Sequence, residues 1–284
     1  MSEIKERLLE REAASIYTPA AALGALVRGE RMKGLRIAVI GAGQQASEEA
    51  EPPAGNGRAI SLLCARQGAA VACIDRNEAA ARETTRRIEQ EGGRAITLVA
   101  DVSDAAQCEG VVTRAHAELG GLDGVVVNVG IGMGRGLSGT DVESWDKTFA
   151  VNLRAHFVAA KASLPLLPTG GSVLFIGSIA GLQPGSRIPA YDASKAGLLG
   201  LSRHVAFEGA RKGVRSNVIV PGLIDTPLGR LATRNRPGRG QTPVPLGRQG
   251  TAWEVAHTAV FLLSPEASYI TAQVIAVDGG LSTI

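Results

Sequence analysis

Aromatic side chains are scarce in this sequence. They make up 4 % of its 284 residues, although hydrophobic residues as a whole make up 45 %. Alanine, glycine and valine must therefore build most of the interior, as close packing of helices against a sheet requires. The length falls within the range of one large α/β domain and is sufficient for a sizeable core.

Cysteine is also rare, and its pattern argues against a disulfide framework and a metal site. Cys64, Cys73 and Cys108 form an odd number, lack the spacing of metal ligands and lie in apolar or helical stretches. We expect them to be reduced core residues, which suits a cytoplasmic protein. We also expect no bound metal.

Strong net charge and long apolar runs are absent too. The net charge is only +3, so the overall balance indicates no nucleic acid partner. The stretch from Met1 to Arg7 is too charged for a signal peptide, and no apolar run approaches the length that spans a membrane. We expect a soluble cytoplasmic protein without a membrane partner.

From Leu35 onward the sequence alternates between short apolar runs and helical stretches. The apolar runs are rich in valine, isoleucine and alanine, as strands buried on both faces are. They lie at 36–40, 70–75, 95–100, 123–128, 172–177, 214–220 and 274–277, with helical stretches at 57–67, 78–91, 104–119, 143–167, 190–212 and 252–263. This order predicts a single Rossmann-like domain over residues 35–284, an α/β fold with a doubly wound parallel sheet of about seven strands and helices on both faces.

Two segments stand apart from this alternation. Residues 1–34 are predicted to form an N-terminal helical extension, in which Thr18-Pro19 begins a short helix that ends near Gly29. The extension is either a loosely ordered tail or an arm that packs on a neighbouring subunit. The stretch 227–245, with several arginine, proline and glycine residues, is predicted to be a mobile loop that covers the substrate.

Ser178, Tyr191 and Lys195 form the most informative set of side chains. Ser178 ends an apolar strand, and Tyr191 and Lys195, four residues apart, lie on one face of a helix. A phenol with a pKa of about 10 is a poor base at neutral pH, and a fixed ammonium beside it favours the phenolate. This set can pass a proton to or from an alcohol or carbonyl oxygen, which requires a hydride carrier for the other half of the reaction.

A glycine-rich region after the first strand allows two interpretations. In the first, Gly41, Gly43 and Ala46 form a dinucleotide fingerprint. A helix that began at Gln44 would, however, meet Pro52-Pro53 almost at once, and proline interrupts a helix interior.

In the second interpretation the helix begins at Gly55, Asn56 and Gly57, and residues 44–54 bulge out as an insert. Asp75 then ends the second strand about twenty residues beyond the glycine, the spacing expected of an acid that meets the adenosine ribose. We prefer this interpretation for that reason.

Asp75 also bears on the identity of the cofactor. Its carboxylate can accept hydrogen bonds from both ribose hydroxyls and repels a 2′-phosphate, so NAD(H) is favoured over NADP(H). Arg76 leaves NADP(H) open, because a flexible guanidinium can bind that phosphate. Asp101 and Val102, which end the third strand, are candidates to cap the adenine.

Taken together, these residues resemble the short-chain dehydrogenase/reductase family, in its single-domain branch, over residues 34–284. The matching motifs occur in the family's order: the glycine-rich turn, Asp75, Asp101-Val102, Asn128-Val129-Gly130, Asn152, Ser178, Tyr191 with Lys195, Pro221-Gly222 and Val277-Asp278-Gly279-Gly280. The resemblance implies that Tyr191 is the proton donor in reduction and the base in oxidation. It implies that Lys195 lowers the pKa of the tyrosine and holds the nicotinamide ribose, and that Ser178 orients the substrate oxygen.

The resemblance assigns further residues to the site. Asn152 would hold a water that links Lys195 to solvent, and Ile224 and Thr226 would meet the nicotinamide carboxamide. The cofactor contacts that it implies, together with those argued above, are Gly41, Gly55, Asn56, Gly57, Asp75, Arg76, Asp101, Val102, Asn128, Gly130, Tyr191, Lys195, Pro221, Gly222, Ile224 and Thr226.

The sequence departs from the family pattern near the cofactor. The span Gln44–Ala54 is longer than usual and carries Glu48, Glu49 and Glu51, which we expect to face solvent rather than the diphosphate. Val127 replaces the first asparagine of the family's Asn-Asn-Ala-Gly.

The resemblance implies an NAD(P)(H)-dependent oxidoreductase that interconverts a small-molecule secondary alcohol and a ketone. A 3-oxoacyl carrier-protein reductase is a narrower alternative, which Asp75 disfavours because biosynthetic reduction usually runs on NADPH. A catalytically silent dinucleotide-sensing regulator is an alternative of another class, which the complete catalytic set disfavours. Relatives commonly pair through the helices that correspond to 143–167 and 190–212, so a homo-oligomer, a tetramer or a dimer, is expected.

Four arginines of the stretch 227–245 bear on the substrate: Arg230, Arg234, Arg236 and Arg239. They are either solvated or bind a substrate that carries a carboxylate or a phosphopantetheine group.

Overall fold

A parallel sheet of seven strands organises the molecule, for which the computed structural model describes residues 18–26, 28–47 and 49–284. The strands are β1 (Arg36–Ile40), β2 (Ala70–Asp75), β3 (Arg94–Val99), β4 (Gly124–Val127), β5 (Ser172–Ile176), β6 (Arg215–Pro221) and, last in the chain, β9 (Val274–Val277). Their spatial order is β3-β2-β1-β4-β5-β6-β9, and every neighbouring pair is parallel. Two short strands, β7 (Ile224–Asp225) and β8 (Gly250–Thr251), pair separately. The predicted doubly wound parallel sheet is confirmed.

Helices cover both faces of the sheet. They are α1 (Asn56–Arg66), α2 (Glu78–Gln90), α3 (Ala105–Leu119), α4 (Val142–Phe149), α5 (Ala155–Ser163), α6 (Pro189–Gly209), α7 (Pro227–Arg234) and α8 (Ala252–Leu263). One hydrophobic core lies between the sheet and the pair α1 and α8, and a second lies under α3 and α5 on the opposite face. Because both faces are covered, β1, β4 and β5 are buried almost throughout, which explains their continuous apolar sequences.

Short polar side chains start several of the helices. Asn77, Asp104 and Asp141 each accept a hydrogen bond from a backbone N–H of the helix that follows, at the start of α2, α3 and α4 respectively. These caps satisfy backbone donors that have no partner within the helix. They fix the entry of three helices next to the carboxyl ends of the strands.

The long helix predicted at 143–167 is interrupted. Residues Ala150–Arg154, between α4 and α5, form one turn of π-helix that contains the buried Asn152. A single π turn inside an α-helix is uncommon and is frequent at functional sites.

The short helix predicted in the N-terminal extension ends earlier than expected. Pro19 precedes a 3-10 turn, Ala20–Leu23, and Gly24 closes it in the left-handed conformation with φ 81°. The prediction that the helix ends near Gly29 was therefore wrong, because the first glycine that can adopt positive φ terminates the turn. Residues 1–17 lie outside the described residues.

This turn packs on its own domain. The carbonyl of Ala22 accepts a hydrogen bond from the Thr251 hydroxyl at 2.6 Å, immediately before α8. A side chain on Gly24 would overlap the indole of Trp253, so the backbone approaches α8 closely. Residues 18–26 therefore contact their own domain, and the arm on a neighbouring subunit stays a prediction.

The three cysteines lie in the interior, as the sequence predicts. Cys64, Cys73 and Cys108 are buried and free, and burial raises the pKa of each thiol. Among the described residues, no helix combines the length and the apolar character that crossing a bilayer requires.

Candidate active site

A cleft of about 1360 Å³ lies at the carboxyl ends of the strands and includes the point between β1 and β4 where the strand order reverses. Open parallel sheets bind ligands at this position. Seventeen of the residues predicted for the site line it: Gly41, Gly55, Asn56, Gly57, Asp75, Arg76, Asp101, Val102, Asn128, Gly130, Ser178, Tyr191, Lys195, Pro221, Gly222, Ile224 and Thr226. Asn152 lies outside the lining and is fully buried.

The turn after β1 is tight and requires glycine at two positions. Gly41 has φ 83°, and a side chain there would collide with the carbonyl of Asn128. A Cβ on Gly57 would overlap the Gly41 carbonyl oxygen and come within 2.6 Å of the Asn128 amide nitrogen. That amide donates to the same Gly41 carbonyl at 2.9 Å, so the second asparagine of the family motif holds the turn closed.

Helix α1 begins where the second interpretation predicts. Its N-cap is Gly55 in extended conformation, with no side-chain cap. The first N–H groups of α1 therefore face the cleft without a capping side chain, the arrangement that binds phosphate groups. The side-chain oxygen of Asn56 is buried here with no hydrogen-bond partner among the described residues.

The insert at 44–54 is closed at its base by its own side chain. The amide oxygen of Gln44 accepts a hydrogen bond from the backbone N–H of Gly55 at 3.0 Å. The loop therefore leaves and re-enters the turn at neighbouring points.

Two acidic residues of the insert, Glu49 and Glu51, lie outside the lining of the cleft. Glu51 is exposed as predicted. Glu49 is not simply solvated, however, because it forms an ion pair with Arg230. Arg230 also pairs with both carboxylate oxygens of Asp225, at 2.6 and 2.8 Å. Glu48 lies outside the described residues.

Backbone donors fix the carboxylate of Asp75 at the end of the cleft where the sequence predicts the adenosine. One oxygen accepts from the N–H of Gly43 and the other from the N–H of Asn77, both at 3.0 Å. Each oxygen retains acceptor capacity for a ribose hydroxyl. Arg76 is exposed on the cleft wall, and its charge helps to hold the pKa of Asp101 below the ordinary value, although the hydrogen bonds from Ser103 have the larger effect.

Tyr191 and Ser178 meet in the middle of the cleft. Ser178 follows β5 in extended conformation, and its hydroxyl caps the 3-10 turn Ile179–Gly181 by accepting from Ala180. Burial raises the pKa of Tyr191 above its ordinary value, although a hydrogen bond with Ser178 acts in the opposite direction. The phenol is therefore protonated at neutral pH, and the expectation that its pKa is lowered is wrong.

Lys195 explains why the expected lowering is missing. Its ammonium donates to the carbonyls of Val129 at 3.2 Å and Ile176 at 3.0 Å rather than to the phenol. It lies 5.9 Å from the centroid of the Tyr191 ring. Burial also lowers the pKa of Lys195 to about 7, so part of its charge is lost near neutral pH.

Asn152 contacts the backbone of the wall opposite Tyr191. Its side chain accepts from the N–H of Ile131 at 2.8 Å, donates to the carbonyl of Ile131 at 2.8 Å and donates to the Ser194 hydroxyl at 3.1 Å. The π turn places the amide for this double contact. Asn152 thus orders the wall after β4, and its predicted water stays a prediction.

The residues predicted beside the nicotinamide carboxamide lie between two short elements. Ile224 belongs to β7 and is buried, and the Thr226 hydroxyl caps α7 by accepting from Gly229 at 3.0 Å. The stretch 227–245 is consequently not a loop throughout: it begins with the helix α7, for which Thr226-Pro227 is a typical start. Its covering role over the substrate stays a prediction, and we call 227–245 the lid segment.

The sequence does not indicate which arginines of the lid segment line the cleft beside Tyr191. Arg236 and Arg239 line the cleft with Tyr191, whereas Arg230 and Arg234 do not. Nothing in the residue pattern separates the two pairs, since all four lie within ten residues of one another. The ion pair between Glu49 and Arg230 joins positions 181 residues apart and has no local signal either.

Comparisons with known proteins agree with this geometry. A protein-family model described as enoyl-(acyl carrier protein) reductase matches residues 52–282. An uncharacterized oxidoreductase of Bacillus subtilis is 37 % identical over 81 % of this chain and 79 % of its own length. 2-(S)-Hydroxypropyl-CoM dehydrogenase 3 of Xanthobacter autotrophicus is 34 % identical over 89 % of this chain and 99 % of its own.

A solved structure gives the same result. The crystal structure of a short-chain dehydrogenase/reductase from Burkholderia xenovorans matches with a TM-score of 0.82 and 35 % identity, over 90 % of this chain and 99 % of that one. The family model, the relatives and this structure each extend over most of the sheet and the cleft described above. The chain therefore belongs to the short-chain dehydrogenase/reductase family of oxidoreductases.

Proposed function

We propose that this protein is an NAD(H)-dependent oxidoreductase that interconverts a secondary alcohol and a ketone, with Tyr191 as the acid and base. The observation that carries the proposal is the convergence of Ser178, Tyr191 and Lys195 in one cleft, at the edge of the sheet where ligands bind. The relative from Xanthobacter autotrophicus is named as a dehydrogenase of a hydroxypropyl compound, which agrees with an alcohol substrate.

The residues present fit a nicotinamide dinucleotide. The uncapped start of α1 suits the diphosphate, and the glycine turn leaves no side chain in its way. Asp75, fixed by two backbone donors, suits the adenosine ribose. When bound, this cofactor supplies or removes the hydride at the carbon that carries the substrate oxygen.

The chain's own residues handle the proton. Ser178 would donate a hydrogen bond to the substrate oxygen, and Tyr191, which is protonated at neutral pH, would transfer its phenolic proton to that oxygen during reduction. In oxidation the phenolate accepts the proton from the alcohol. Lys195, with a pKa of about 7, can exchange a proton with solvent close to neutral pH and would steady the charge on the phenolate.

Replacing Asp75 by alanine is expected to remove the preference for NAD(H). The carboxylate accepts from ribose hydroxyls and repels a 2′-phosphate, so the unchanged protein should bind NADH about tenfold or more tightly than NADPH. In Asp75→Ala the exposed Arg76 is free to bind the phosphate, and the order of affinities should reverse. Fluorescence titration with both dinucleotides measures the effect.

Glu78→Ala is the matched control, because Glu78 is an acid of the same region that is exposed and lies outside the cleft lining. Its ratio of NADH to NADPH affinity should equal that of the unchanged protein. Equal affinities for NADH and NADPH in both the unchanged protein and Asp75→Ala would refute the assignment of Asp75 and leave NADP(H) as an equal cofactor.

A 3-oxoacyl carrier-protein reductase is the second candidate, and relatives named as 3-oxoacyl-[acyl-carrier-protein] reductases favour it. It requires reduction of a carrier-bound or coenzyme A-bound 3-oxoacyl thioester, preferably with NADPH. Turnover of such thioesters with NADPH, and not of free ketones, would select this candidate over the first.

Assembly and location complete the proposal. Phe157 on α5 and Phe207 on α6 are largely exposed, which suits a homo-oligomer, a dimer or tetramer, that pairs through these helices. Sedimentation at micromolar concentration that shows only monomer would refute the pairing. The three buried, free cysteines suit the reducing cytoplasm.

A further inference from the structure

We infer that the reactive end of the cleft binds an anionic group of the substrate, a carboxylate, sulfonate or phosphate, through the guanidinium groups of Arg236 and Arg239. The inference rests on the proposed alcohol and ketone chemistry and narrows its substrate class to small molecules that carry an acid group.

The two guanidinium groups come from one turn of the chain. The backbone N–H of Arg239 donates to the carbonyl of Arg236 at 2.9 Å, so the two residues are one 3-10 turn apart. Side chains at positions i and i+3 of such a turn lie on the same side. Both are half-buried and line the cleft together with Tyr191.

Arg236 reaches from the lid segment to the wall that precedes the catalytic helix α6. Its guanidinium donates to the carbonyl of Ser186 and, at 3.4 Å, to the carbonyl of Gly185. Arg239 remains on the lid side, where it donates to the carbonyl of Gly229 at 3.0 Å and to the Thr233 hydroxyl at 2.8 Å. The two cations are thus held in position by hydrogen bonds to both sides of the cleft.

All of these partners are neutral. Within residues 18–26, 28–47 and 49–284, neither guanidinium forms an ion pair with a carboxylate. The carboxylate of Asp225, whose charge does act on Arg239, is already held by two nitrogens of Arg230. Each guanidinium uses one terminal nitrogen for its hydrogen bonds to the protein, so other donors stay available for a planar anion.

Holding these two charges without a counterion costs free energy. Burial, followed by the charge of Arg236, lowers the pKa of Arg239 below its ordinary value. Two like charges near each other and partly removed from water are destabilising until an opposite charge joins them. An anionic substrate would supply that charge beside the reacting carbon.

The charges along the cleft are segregated in the same sense. The acidic residues that line it, Asp75 and Asp101, end β2 and follow β3 at the adenosine end. The reactive end instead carries Lys195 and, besides the two lid arginines, the exposed Arg135 and Arg187. An end of a cleft that carries positive charges alone attracts anionic ligands.

The test compares a ketone acid with its neutral ester. We would measure kcat/KM with NADH for 4-oxopentanoate and methyl 4-oxopentanoate, and for a sulfonate analogue, 3-oxobutane-1-sulfonate. Charge-assisted hydrogen bonds of this kind change affinity by about 10- to 100-fold each. The unchanged protein should prefer the acid over the ester by that factor, Arg236→Gln and Arg239→Gln should each lower the preference about tenfold, and the double variant should abolish it.

Two variants serve as controls. Arg234→Gln changes an exposed arginine of the same segment that lies outside the cleft lining, and should leave the preference unchanged. Arg239→Lys retains the charge and should retain part of the preference. The preference is taken as the ratio of kcat/KM for the acid to that for the ester in the same variant, because loss of structure would lower the turnover of acid and ester alike.

The outcomes separate this inference from the proposed reaction. Reduction of neutral ketones without any preference for the acids overturns the anion site and leaves the oxidoreductase standing. If no ketone reacts, calorimetry with the NADH complex decides: binding of pentanoate that is lost in Arg236→Gln and Arg239→Gln upholds the anion site and contradicts the reaction, and binding equal to that of pentanamide overturns the site. If the arginines affect turnover only of acetoacetyl-coenzyme A, the restriction of the substrate class to small acids is overturned.

Discussion

Replacing Tyr191 by phenylalanine should lower kcat by about 100- to 10 000-fold, the contribution typical of a positioned general acid. The substitution keeps the ring that fills the wall of the cleft and removes only the hydroxyl that would donate the proton. NADH affinity should therefore change little. Steady-state turnover of a ketone and fluorescence titration with NADH, measured on the same preparation, separate the two effects.

Tyr269→Phe is the matched control, since the Tyr269 side chain is fully exposed and lies outside the cleft. Its kcat should equal that of the unchanged protein. The pH profile offers a second readout: because burial raises the pKa of Tyr191, alcohol oxidation, which needs the phenolate, should accelerate as the pH rises. Full activity of Tyr191→Phe, or a pH profile that it does not alter, would remove the tyrosine from the mechanism.

Gly57→Ala should weaken dinucleotide binding, although it adds only a single methyl group. That methyl would overlap the carbonyl oxygen of Gly41 and crowd the amide of Asn128, and both belong to the turn that holds the start of α1 in place. The backbone must move, at a cost of about 1–3 kcal/mol for overpacking. We expect NADH affinity to fall about 10- to 100-fold in a fluorescence titration and the free energy of unfolding in urea to fall as well.

Gly110→Ala provides the comparison within the same chain. Gly110 lies in the interior of α3, and a Cβ there would meet nothing within 4 Å. Alanine favours a helix over glycine, so this variant should be as stable as the unchanged protein or more stable by up to about 1 kcal/mol, with normal NADH affinity. Normal NADH affinity in Gly57→Ala would mean that the diphosphate does not depend on this turn.

The start of α1 shows what local sequence rules can predict. Pro52-Pro53 excludes a helix directly after Gly43, and the polar and glycine residues that follow allow one from Asn56, where the structure has it. The strands could also be predicted, because strands that are buried on both faces have continuous apolar sequences. The start of α7 at Thr226-Pro227 carried a local signal as well, but the arginines and glycines around it were interpreted as a loop.

The features that could not be predicted from the sequence depend on contacts between residues that are distant in the chain. The π turn around Asn152 is stabilised by hydrogen bonds to the backbone of Ile131, and the spacing of apolar residues does not predict it. The pKa of Tyr191 is raised because the phenol is buried and because backbone carbonyls, rather than the phenol, hold the ammonium of Lys195. Tyrosine and lysine at a four-residue spacing indicate proton transfer, but they do not determine the direction in which the pKa of the tyrosine shifts.

Transfer of deuterium from the nicotinamide ring to a ketone is the most direct test of the proposed alcohol and ketone chemistry. The protein would be mixed with NADH deuterated at C4, on either face, and with the neutral and acidic ketones described above, and the product would be analysed by mass spectrometry. We expect deuterium on the carbon that bears the new hydroxyl group, and formation of this product about 100- to 10 000-fold more slowly with Tyr191→Phe. Tight NADH binding without transfer to any of these ketones would contradict the proposed function and favour a dinucleotide-sensing regulator.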